Sequence, residues 1–338
     1  MNQKNNRIAI VILNFNGLEL LKKFLQSVVD FSDNKISSIY LIDNFSTDNS
    51  VSYVKKQFPS IKIIKNEDNL GFSGGYNQGL KFIKSDYYIL LNSDVEVTKN
   101  WLGPLFNLME SDKNIAACQP KVLSYKNKNM FEYAGASGGF LDKLGYPFCR
   151  GRIFDTLEED KGQYDSKIQI FWASGCCLMI RSKVFHKCDG FDKSFFAHME
   201  EIDLCWRINN LGFEIYCEPK SKIYHLGNQT LSNKNPKKTY LNFRNNLIMI
   251  LKNEHFLNLL WKLPVRIFFD FIAFFKFVIN NKSISHGLSI IKAYCHFFIS
   301  IRSHFLKRYK KKNNSLRLFN TVIPIKYYLL KRKKYSDL

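Results

Sequence analysis

Metal-binding cysteine pairs are absent from this sequence of 338 residues. None of the eight cysteines stands in a Cys-x-x-Cys spacing, which excludes the usual zinc-binding fingers and ribbons. Five cysteines stand instead within apolar runs, namely Cys118, Cys176, Cys177, Cys205 and Cys217. Cysteines in such surroundings are typical of buried, reduced thiols, so the sequence predicts a cytosolic protein.

The common phosphate-binding loops and a secretion signal are absent as well. The chain has no Walker motif ending in Gly-Lys-Ser/Thr and no Gly-x-Gly-x-x-Gly motif. Its first apolar run, residues 8–13, has the length of a strand and ends in Asn-Phe-Asn-Gly rather than at a small-residue cleavage site. We therefore expect no signal peptide.

Acidic residues are scarce in the last third of the chain. The net charge is +21, but residues 1–230 carry 28 basic and 26 acidic side chains, whereas residues 231–338 carry 22 and 3. This basic region predicts an anionic partner, either a nucleic acid or a membrane surface. The nearly neutral first 230 residues must serve another purpose.

Short runs of Ile, Val and Leu alternate with amphipathic segments in the first hundred residues. The runs predict strands at 8–13, 39–42, 61–64 and 87–91, and the segments between them predict helices at 18–29, 48–58 and 73–83. This alternation indicates an α/β fold with a doubly wound sheet. Residues 124–167 are rich in loop-forming residues and receive no assignment.

Short polar side chains follow each predicted strand. They are Asn14 and Asn16, then Asp43 and Asn44, then the stretch 66–75, and finally Asn92-Ser93-Asp94. Each alone is typical of a turn, but ligands of doubly wound sheets bind at the carboxyl ends of the strands. The pattern therefore predicts one ligand site. Gly71, Gly74 and Gly75, followed by Asn77, lead into a helix in a way that suits an anion, although this signal alone is weak.

An acidic helix is predicted for residues 200–211. Its apolar face contains Leu204, Cys205, Ile208 and Leu211, and Glu201 projects on that same face beside Glu200. Glu201 is therefore either a general base in a cleft or a carboxylate that complements the helix dipole. Asp203 projects elsewhere, one turn before Arg207, and is either catalytic or half of a surface ion pair worth a few tenths of a kcal/mol.

These blocks together resemble glycosyltransferase family 2. The segments that carry the resemblance are VILNFNG (11–17), LIDNFSTDNS (41–50), NLGFSGGYNQGL (69–80), YILLNSDVEV (88–97), FWASGCCLMIR (171–181) and residues 190–227. The resemblance covers roughly residues 8–250 and is strongest to the rhamnosyltransferase-like branch of bacterial surface-polysaccharide enzymes. It implies the GT-A fold with a doubly wound mixed sheet, and inverting transfer from a nucleotide sugar of the dTDP-rhamnose or UDP-hexose type to a glycan or polyprenyl-linked acceptor.

The resemblance also implies residue roles. Asp43, with Asn14 nearby, would bind the nucleotide, and the loop of residues 71–77 would lie beside it. Asn92-Ser93-Asp94 stands where the family has its metal-binding Asp-x-Asp, so Asn92 is a departure that leaves Asp94 and the later His225 to hold Mn²⁺ or Mg²⁺. Glu201 occupies the position of the base, although the choice between Glu200 and Glu201 stays open. Trp172 either faces an acceptor sugar or belongs to the core.

The basic region predicts helices at residues 256–279 and 284–306. In the first, Lys262, Arg266, Asp270 and Lys276 share an arc of about 120° and apolar residues cover the rest, which is typical of a helix lying in a membrane interface. Basic clusters at 307–312 and 331–334 would bind anionic lipid. A helical subdomain with solvated lysines is the alternative. We predict a catalytic domain at 1–235 and a membrane-associating region at 236–338, on the inner face of the cytoplasmic membrane.

Two other functions compete with the transferase. A nucleotidyltransferase shares the sheet and a metal ion, but it does not need an acidic helix at 200–203. A nucleic-acid-binding protein would use the basic region, but its aromatic residues would then be interleaved with basic ones on an exposed groove or sheet. The aromatic residues follow helical spacing here, which favours burial in lipid or in the core.

Overall fold

The computed structural model describes residues 7–227, 235–280, 282–308 and 318–338. The strands of this part of the chain are β1 (Ile8–Asn14), β2 (Ser37–Asp43), β3 (Lys62–Lys65), β4 (Tyr87–Leu91), β5 (Val95–Val97), β6 (Ile115–Ser124), β7 (Gly139–Leu141), β8 (Pro147–Cys149), β9 (Arg152–Ile153), β10 (Thr156–Leu157), β11 (Ile168–Gln169), β12 (Cys177–Arg181) and β13 (Glu214–His225). The helices are α1 (Leu18–Phe31), α2 (Ser50–Gln57), α3 (Gly71–Gly79), α4 (Leu102–Ser111), α5 (Ser182–Lys187), α6 (Glu200–Asn210), α7 (Pro236–Asn253), α8 (Phe256–Phe275) and α9 (Ile284–Leu306).

The main sheet has the order β11-β13-β6-β12-β4-β1-β2-β3, with β5 added against β13. Strands β4, β1, β2 and β3 run parallel, whereas β12 is antiparallel to both β4 and β6. The predicted doubly wound mixed sheet is therefore confirmed. The central strands β1 and β4 are apolar on both faces because a helical or loop layer covers each side.

The unassigned stretch at 124–167 contains a second, smaller sheet. Its strands are only two or three residues long and follow the order β10-β9-β8-β7. Phe148 and Ile153 of this sheet pack on Ile323 and Tyr327 from the end of the chain. Strands of two or three residues are too short to show the alternating period of a strand, which is why the sequence permits no assignment for this stretch.

The C-terminal helices share the hydrophobic core of the sheet. Leu247 and Leu251 of α7, Leu259 of α8 and Phe297 of α9 are buried in the same cluster as the apolar residues of α6. The boundary predicted at residue 235 remains a prediction, and residues 309–312 of the predicted basic cluster lie outside the described residues. One described helix, α9, has the length and hydropathy needed to cross a membrane.

In helix α8 the polar side faces the protein, whereas the predicted interfacial helix would turn that side toward water. Lys262, Arg266 and Asp270 do share one side, but that side is buried against the protein and its apolar residues are exposed. The Arg266 side chain donates to Asp270 Oδ1 (3.0 Å) and to the carbonyl of Leu144 (3.2 Å). The polar arc therefore anchors the helix to the protein instead of facing water.

Candidate active site

A cleft of about 250 Å³ opens where β4 and β13 end and where β12 and α6 begin. It is lined by six of the predicted site residues: Asn92, Asp94, Trp172, Glu200, Glu201 and His225. These residues are spread over more than 130 positions of sequence and come from separate elements, so the fold brings them together. The structure leaves the remaining predicted site residues outside this cleft.

Glu200 and Glu201 begin α6 directly after a strained segment. Phe196, His198 and Met199 all have positive φ angles between 62° and 71°, which non-glycine residues rarely adopt. Asn245 of α7 holds this segment, because its side-chain amide donates to the carbonyls of Phe195 (3.0 Å), Ala197 (2.9 Å) and His198 (2.8 Å). The segment fixes where the two carboxylates enter the cleft.

The two glutamates have different acidities because their surroundings differ. Burial raises the pKa of Glu201 to about 7, although the nearby backbone N–H groups oppose this rise. Burial raises the pKa of Glu200 further, and the negative charge of Glu201 adds to that rise. One oxygen of each carboxylate is buried without a hydrogen-bond partner among the described residues. Both carboxyl groups of the pair therefore have a raised pKa.

Asp203 lies away from the cleft, on a buried ion cluster. Its carboxylate accepts hydrogen bonds from Arg207 (2.9 Å), Lys252 (3.1 Å) and Asn253 (2.7 Å). The predicted pair with Arg207 exists, but it is fully buried and is not the surface pair that we expected. Helix α7 covers the side of α6 that carries Asp203, a side that the helical wheel had placed away from the apolar face. Asp203 joins α6 to α7 and is not among the residues that line the cleft.

Asp94 and His225 meet at the floor of the cleft. His225 Nε2 lies 3.1 Å from Asp94 Oδ1, and the Leu226 N–H donates to the Asp94 carbonyl (3.0 Å). The other ring nitrogen, Nδ1, lies 3.1 Å from Glu132 Oε2. Burial lowers the pKa of His225, but the carboxylates of Glu132 and Asp94 raise it well above its usual range. Glu132 orients the imidazole so that Nε2 faces Asp94.

This arrangement fits a divalent metal ion. One carboxylate oxygen and one imidazole nitrogen point to the same place, and a carboxylate on the second ring nitrogen is usual for histidines that bind metals. Among the described residues no group of three His, Cys, Asp or Glu side chains forms a ligand set. Two protein ligands leave coordination positions open, as they must be if a diphosphate is to bind the same ion.

The polar residues at the ends of β1, β2 and β3 converge as predicted. The Asn14 amide donates to Asp43 Oδ1 (3.2 Å), Asn44 to Asn69 Oδ1 (2.9 Å), and Asn66 to Asn44 Oδ1 (3.0 Å). Asn16, with a φ of 50°, accepts from the N–H of Thr47 (2.8 Å) at the rim. These side chains form one network beside the cleft. Their role in nucleotide binding stays a prediction.

The glycines of α3 serve close packing, and none of them lines the cleft. A Cβ on Gly71 would lie 2.7 Å from the Phe196 ring, and a Cβ on Gly75 would lie 2.8 Å from Leu13. A Cβ on Gly74 would lie 2.8 Å from Leu70. Asn77 binds the backbone of Phe191 through both its amide nitrogen (2.7 Å) and its oxygen (2.9 Å). This helix therefore supports the segment before α6, a function that the glycine pattern did not reveal.

Trp172 combines the two alternatives that the sequence left open. It is 3% exposed and its Nε1 donates to the Phe140 carbonyl (3.0 Å), as in a core residue. Its ring nevertheless forms part of the cleft wall. The cleft wall also contains residues that sequence analysis missed, among them Glu132, Tyr133, Arg152, Lys238 and Asn242. The first three lie in the unassigned stretch, where no periodic signal marked them.

Comparisons with known proteins agree with this geometry. The family model "Glycosyl transferase family 2" matches residues 9–188. Similar proteins include a low-salt glycan biosynthesis hexosyltransferase, Agl10, of Haloferax volcanii, which is 23% identical over 71% of this chain and 74% of its own length. Another is an N-acetylglucosaminyl-diphospho-decaprenol L-rhamnosyltransferase of Mycobacterium tuberculosis. It is 23% identical over 64% of this chain and 75% of its own length.

A solved structure supports the fold. The structure of GalNAc-T7 with UDP, GalNAc and Mn²⁺ matches this chain with a TM-score of 0.58 and 18% sequence identity. The match covers 74% of this chain and 48% of the GalNAc-T7 chain. At this level of identity the similarity concerns the architecture, and it agrees with the mixed sheet described above. Because the family model spans more than half of the sequence, the chain has the GT-A fold and belongs to glycosyl transferase family 2.

Proposed function

We propose that this chain is an inverting glycosyltransferase that moves a hexosyl or rhamnosyl group from a nucleotide sugar to a glycan or polyprenyl-linked acceptor. The observation that carries the proposal is Glu201, a half-buried residue whose carboxyl pKa is raised to about 7 and which lines the same cleft as Asp94 and His225. A base must be ionised and still basic near neutral pH, and this environment supplies both properties. Family membership favours this function over the nucleotidyltransferase and nucleic-acid-binding alternatives.

The reaction requires one proton transfer and one displacement. Glu201 accepts the proton of the acceptor hydroxyl as its oxygen attacks the anomeric carbon of the donor sugar. The nucleoside diphosphate leaves from the opposite face of the sugar, so the anomeric configuration inverts. Glu200, with its higher pKa, stays protonated and neutral beside Glu201. Segment 195–199, which Asn245 holds, keeps both side chains in position.

Asp94 and His225 would hold Mn²⁺ or Mg²⁺, which neutralises the charge of the leaving diphosphate when it is bound. Glu132 keeps the His225 ring in the orientation that offers Nε2. Asn14, Asn16, Asp43 and Asn44 would bind the nucleoside at the ends of β1 and β2, with Asn92 between them and the metal ligands.

The names of the relatives support a class of donor and acceptor. One relative is named a hexosyltransferase and another an L-rhamnosyltransferase that acts on N-acetylglucosaminyl-diphospho-decaprenol. We infer that this chain belongs to the rhamnosyltransferase-like branch and acts on a lipid-linked oligosaccharide in surface polysaccharide synthesis. Trp172 would face the acceptor sugar from the cleft wall.

We also infer that residues 236–338 bind the inner face of the cytoplasmic membrane while residues 1–235 catalyse the transfer. Large apolar side chains on α8 and α9 are exposed, including Phe268 at 61%, Phe271 at 57% and Leu288 at 58%. An apolar surface of this extent favours contact with lipid. Exposed basic residues at 331–334 and on α9 would bind anionic headgroups.

A binding screen with the purified protein tests the proposal. UDP-, dTDP- and GDP-sugars are titrated with Mn²⁺, with Mg²⁺ or with EDTA, and with the variant Asp94→Asn. We expect metal-dependent binding of one nucleotide class, weakened at least tenfold by Asp94→Asn because a charged ligand of the metal is lost. Asp30→Asn, at an exposed site on α1, is the matched control. The absence of metal-dependent binding to every sugar nucleotide would contradict the proposal.

A further inference from the structure

Arg152 is a buried cation in the cleft wall that forms no salt bridge with a described residue, although the negative charge of Glu132 favours its charged form. It lies on β9, is 6% exposed, and its guanidinium carbon stands 4.5 Å from the centre of the Tyr133 ring. Its Nη2 contacts Cys149 Sγ at 3.4 Å, and its Nε is buried with no hydrogen-bond partner among the described residues. In that part of the chain no carboxylate lies within ion-pair distance of Arg152.

Each of the other buried arginines of the described chain pairs with a carboxylate or donates to several carbonyls, although Arg207 Nη2 makes no hydrogen bond of its own. Arg207 pairs with Asp203, and Arg266 pairs with Asp270. Arg150 donates to the carbonyls of Ser137 (3.0 Å) and Ser166 (2.9 Å). A buried guanidinium has five donors, and leaving them unused is costly unless a ligand takes them. Arg152 is therefore the exception, and it is the one that lines the cleft.

The strand order separates Arg152 from the nucleotide network. Counted from Asp94 at the end of β4, the network of Asn14 and Asp43 lies toward β1, β2 and β3. Strands β12 and β6 lie on the opposite side, and the chain between them forms the small sheet that carries Arg152. An anion on Arg152 would therefore lie on the acceptor side of the cleft.

The same wall borders the helices with exposed apolar faces. Lys238 of α7 lines the cleft near Arg152, and burial lowers the pKa of its ammonium. Pro147 of β8 lines it too, and Arg266 of α8 donates to the carbonyl of Leu144, three residues earlier in the chain. A molecule with an anionic group in the cleft and an apolar tail along α8 matches both surfaces.

We propose that Arg152, together with Lys238, binds the diphosphate of a lipid-linked acceptor and so positions the acceptor hydroxyl for Glu201. This inference rests on the proposed function and deepens it, because it assigns acceptor recognition to named side chains. The planar guanidinium suits two oxygens of one phosphate, and the Tyr133 ring holds it in place. Arg152 is thus a specificity-determining residue for acceptors that carry a phosphate next to the reacting sugar.

The test measures binding of farnesyl diphosphate to the full chain, with excess Mn²⁺ and a saturating concentration of whichever nucleoside diphosphate binds. Farnesol serves as the uncharged probe with the same tail. We expect farnesyl diphosphate to bind beside the nucleotide, to bind at least tenfold more weakly to Arg152→Gln, and to recover part of that loss in Arg152→Lys. Farnesol binding and nucleotide affinity should change less than twofold. Lys56→Gln, an exposed lysine on α2, is the control for net charge.

Three outcomes would overturn the inference. Unchanged binding of farnesyl diphosphate to a folded Arg152→Gln variant would show that Arg152 is structural. Displacement of farnesyl diphosphate by the nucleoside diphosphate would assign the site to the donor. If Arg152→Gln does not fold, Lys238→Gln must weaken the binding, and unchanged binding there also contradicts the inference. Failure of the wild type to bind any nucleotide would instead contradict the proposed function.

Discussion

At the scale of single residues, the pKa of Glu201 predicts a pH profile. Because the base must be ionised, kcat/KM should rise with pH through about 7 and level off above it. The rise should follow one proton, since one base accepts the proton of the acceptor hydroxyl. Transfer rates measured between pH 5.5 and 9 at constant Mn²⁺ test this. A profile that is flat from pH 6 to 8, with donor binding unchanged, would contradict the assignment of Glu201.

Asp203 makes a different contribution, to stability. Burial opposes its ionisation, but Arg207 and Lys252 lower its pKa below the usual value. Its contribution is therefore present above the unfolded-state pKa of about 4 and is lost as pH falls through the lower folded-state pKa. Asp203→Asn leaves the buried Arg207 without its carboxylate and leaves Lys252 with Asp192 alone, and we expect a loss of about 3 to 5 kcal/mol at pH 7.

Urea unfolding of Asp203→Asn against wild type measures this loss. Asp68→Asn, at an exposed position, should change the free energy of unfolding by less than about 0.5 kcal/mol. A loss for Asp203→Asn as small as that of the control would mean that the cluster joining α6 to α7 does not stabilise the fold.

At the scale of elements, α3 supports the strained segment that precedes α6. The φ of Gly71 is +68°, and a Cβ there would lie 2.7 Å from the Phe196 ring and 3.1 Å from the Phe196 carbonyl oxygen. Gly71→Ala should therefore destabilise the protein by at least about 1 to 2 kcal/mol and lower kcat, because the start of α6 moves. Thermal unfolding and transfer rates measure both effects.

Gly103→Ala is the matched control for that substitution. Gly103 lies inside α4 without a positive φ, and its nearest neighbour is a side-chain oxygen of Asn100. Alanine is a better helix former than glycine, so this variant should be neutral or slightly more stable. Equal effects from Gly71→Ala and Gly103→Ala would contradict the account of α3.

The elements also show what sequence patterns can and cannot predict. Strands β1 to β4 and helix α6 were predictable because their patterns extend over four to eleven residues. The small sheet was not, because strands of two or three residues have no measurable period. The helical wheel of α8 grouped Lys262, Arg266 and Asp270 correctly, but it could not tell which side faced the protein. For the same reason the sequence could not show that Asp203 is buried against α7, since its partners Lys252 and Asn253 are about fifty residues away in the chain.

The candidate site also contains some residues that the sequence predicted and others that it did not. Asp94, His225, Glu200 and Glu201 were predicted because they lie at strand ends or in a familiar block. Glu132 and Arg152 were not, because a carboxylate and a guanidinium in a loop-rich stretch are usually solvated. Their importance comes from burial and from what they face, and both are properties of the folded chain.

At the scale of the whole molecule, the exposed apolar faces of α8 and α9 predict membrane binding. Replacing Phe268 and Phe271 by Gln should lower the affinity for vesicles that contain anionic lipid at least tenfold, because two large side chains no longer enter the lipid. Sedimentation with vesicles measures this. Phe82→Gln, at a residue that is 67% exposed on the catalytic part, should have no effect. Equal binding by the double variant and wild type would contradict the membrane surface proposed here.

The central claim is that Glu201 removes the proton in a cleft that still binds donor without it. The most direct measurement compares single-turnover transfer and donor binding for wild type, Glu201→Gln and Glu200→Gln. We expect Glu201→Gln to keep its donor affinity within about twofold and to lose about 10²- to 10⁴-fold in rate. Glu200→Gln should lose less, because that carboxylate is already neutral. A Glu201→Gln variant that transfers sugar at the wild-type rate would contradict the account.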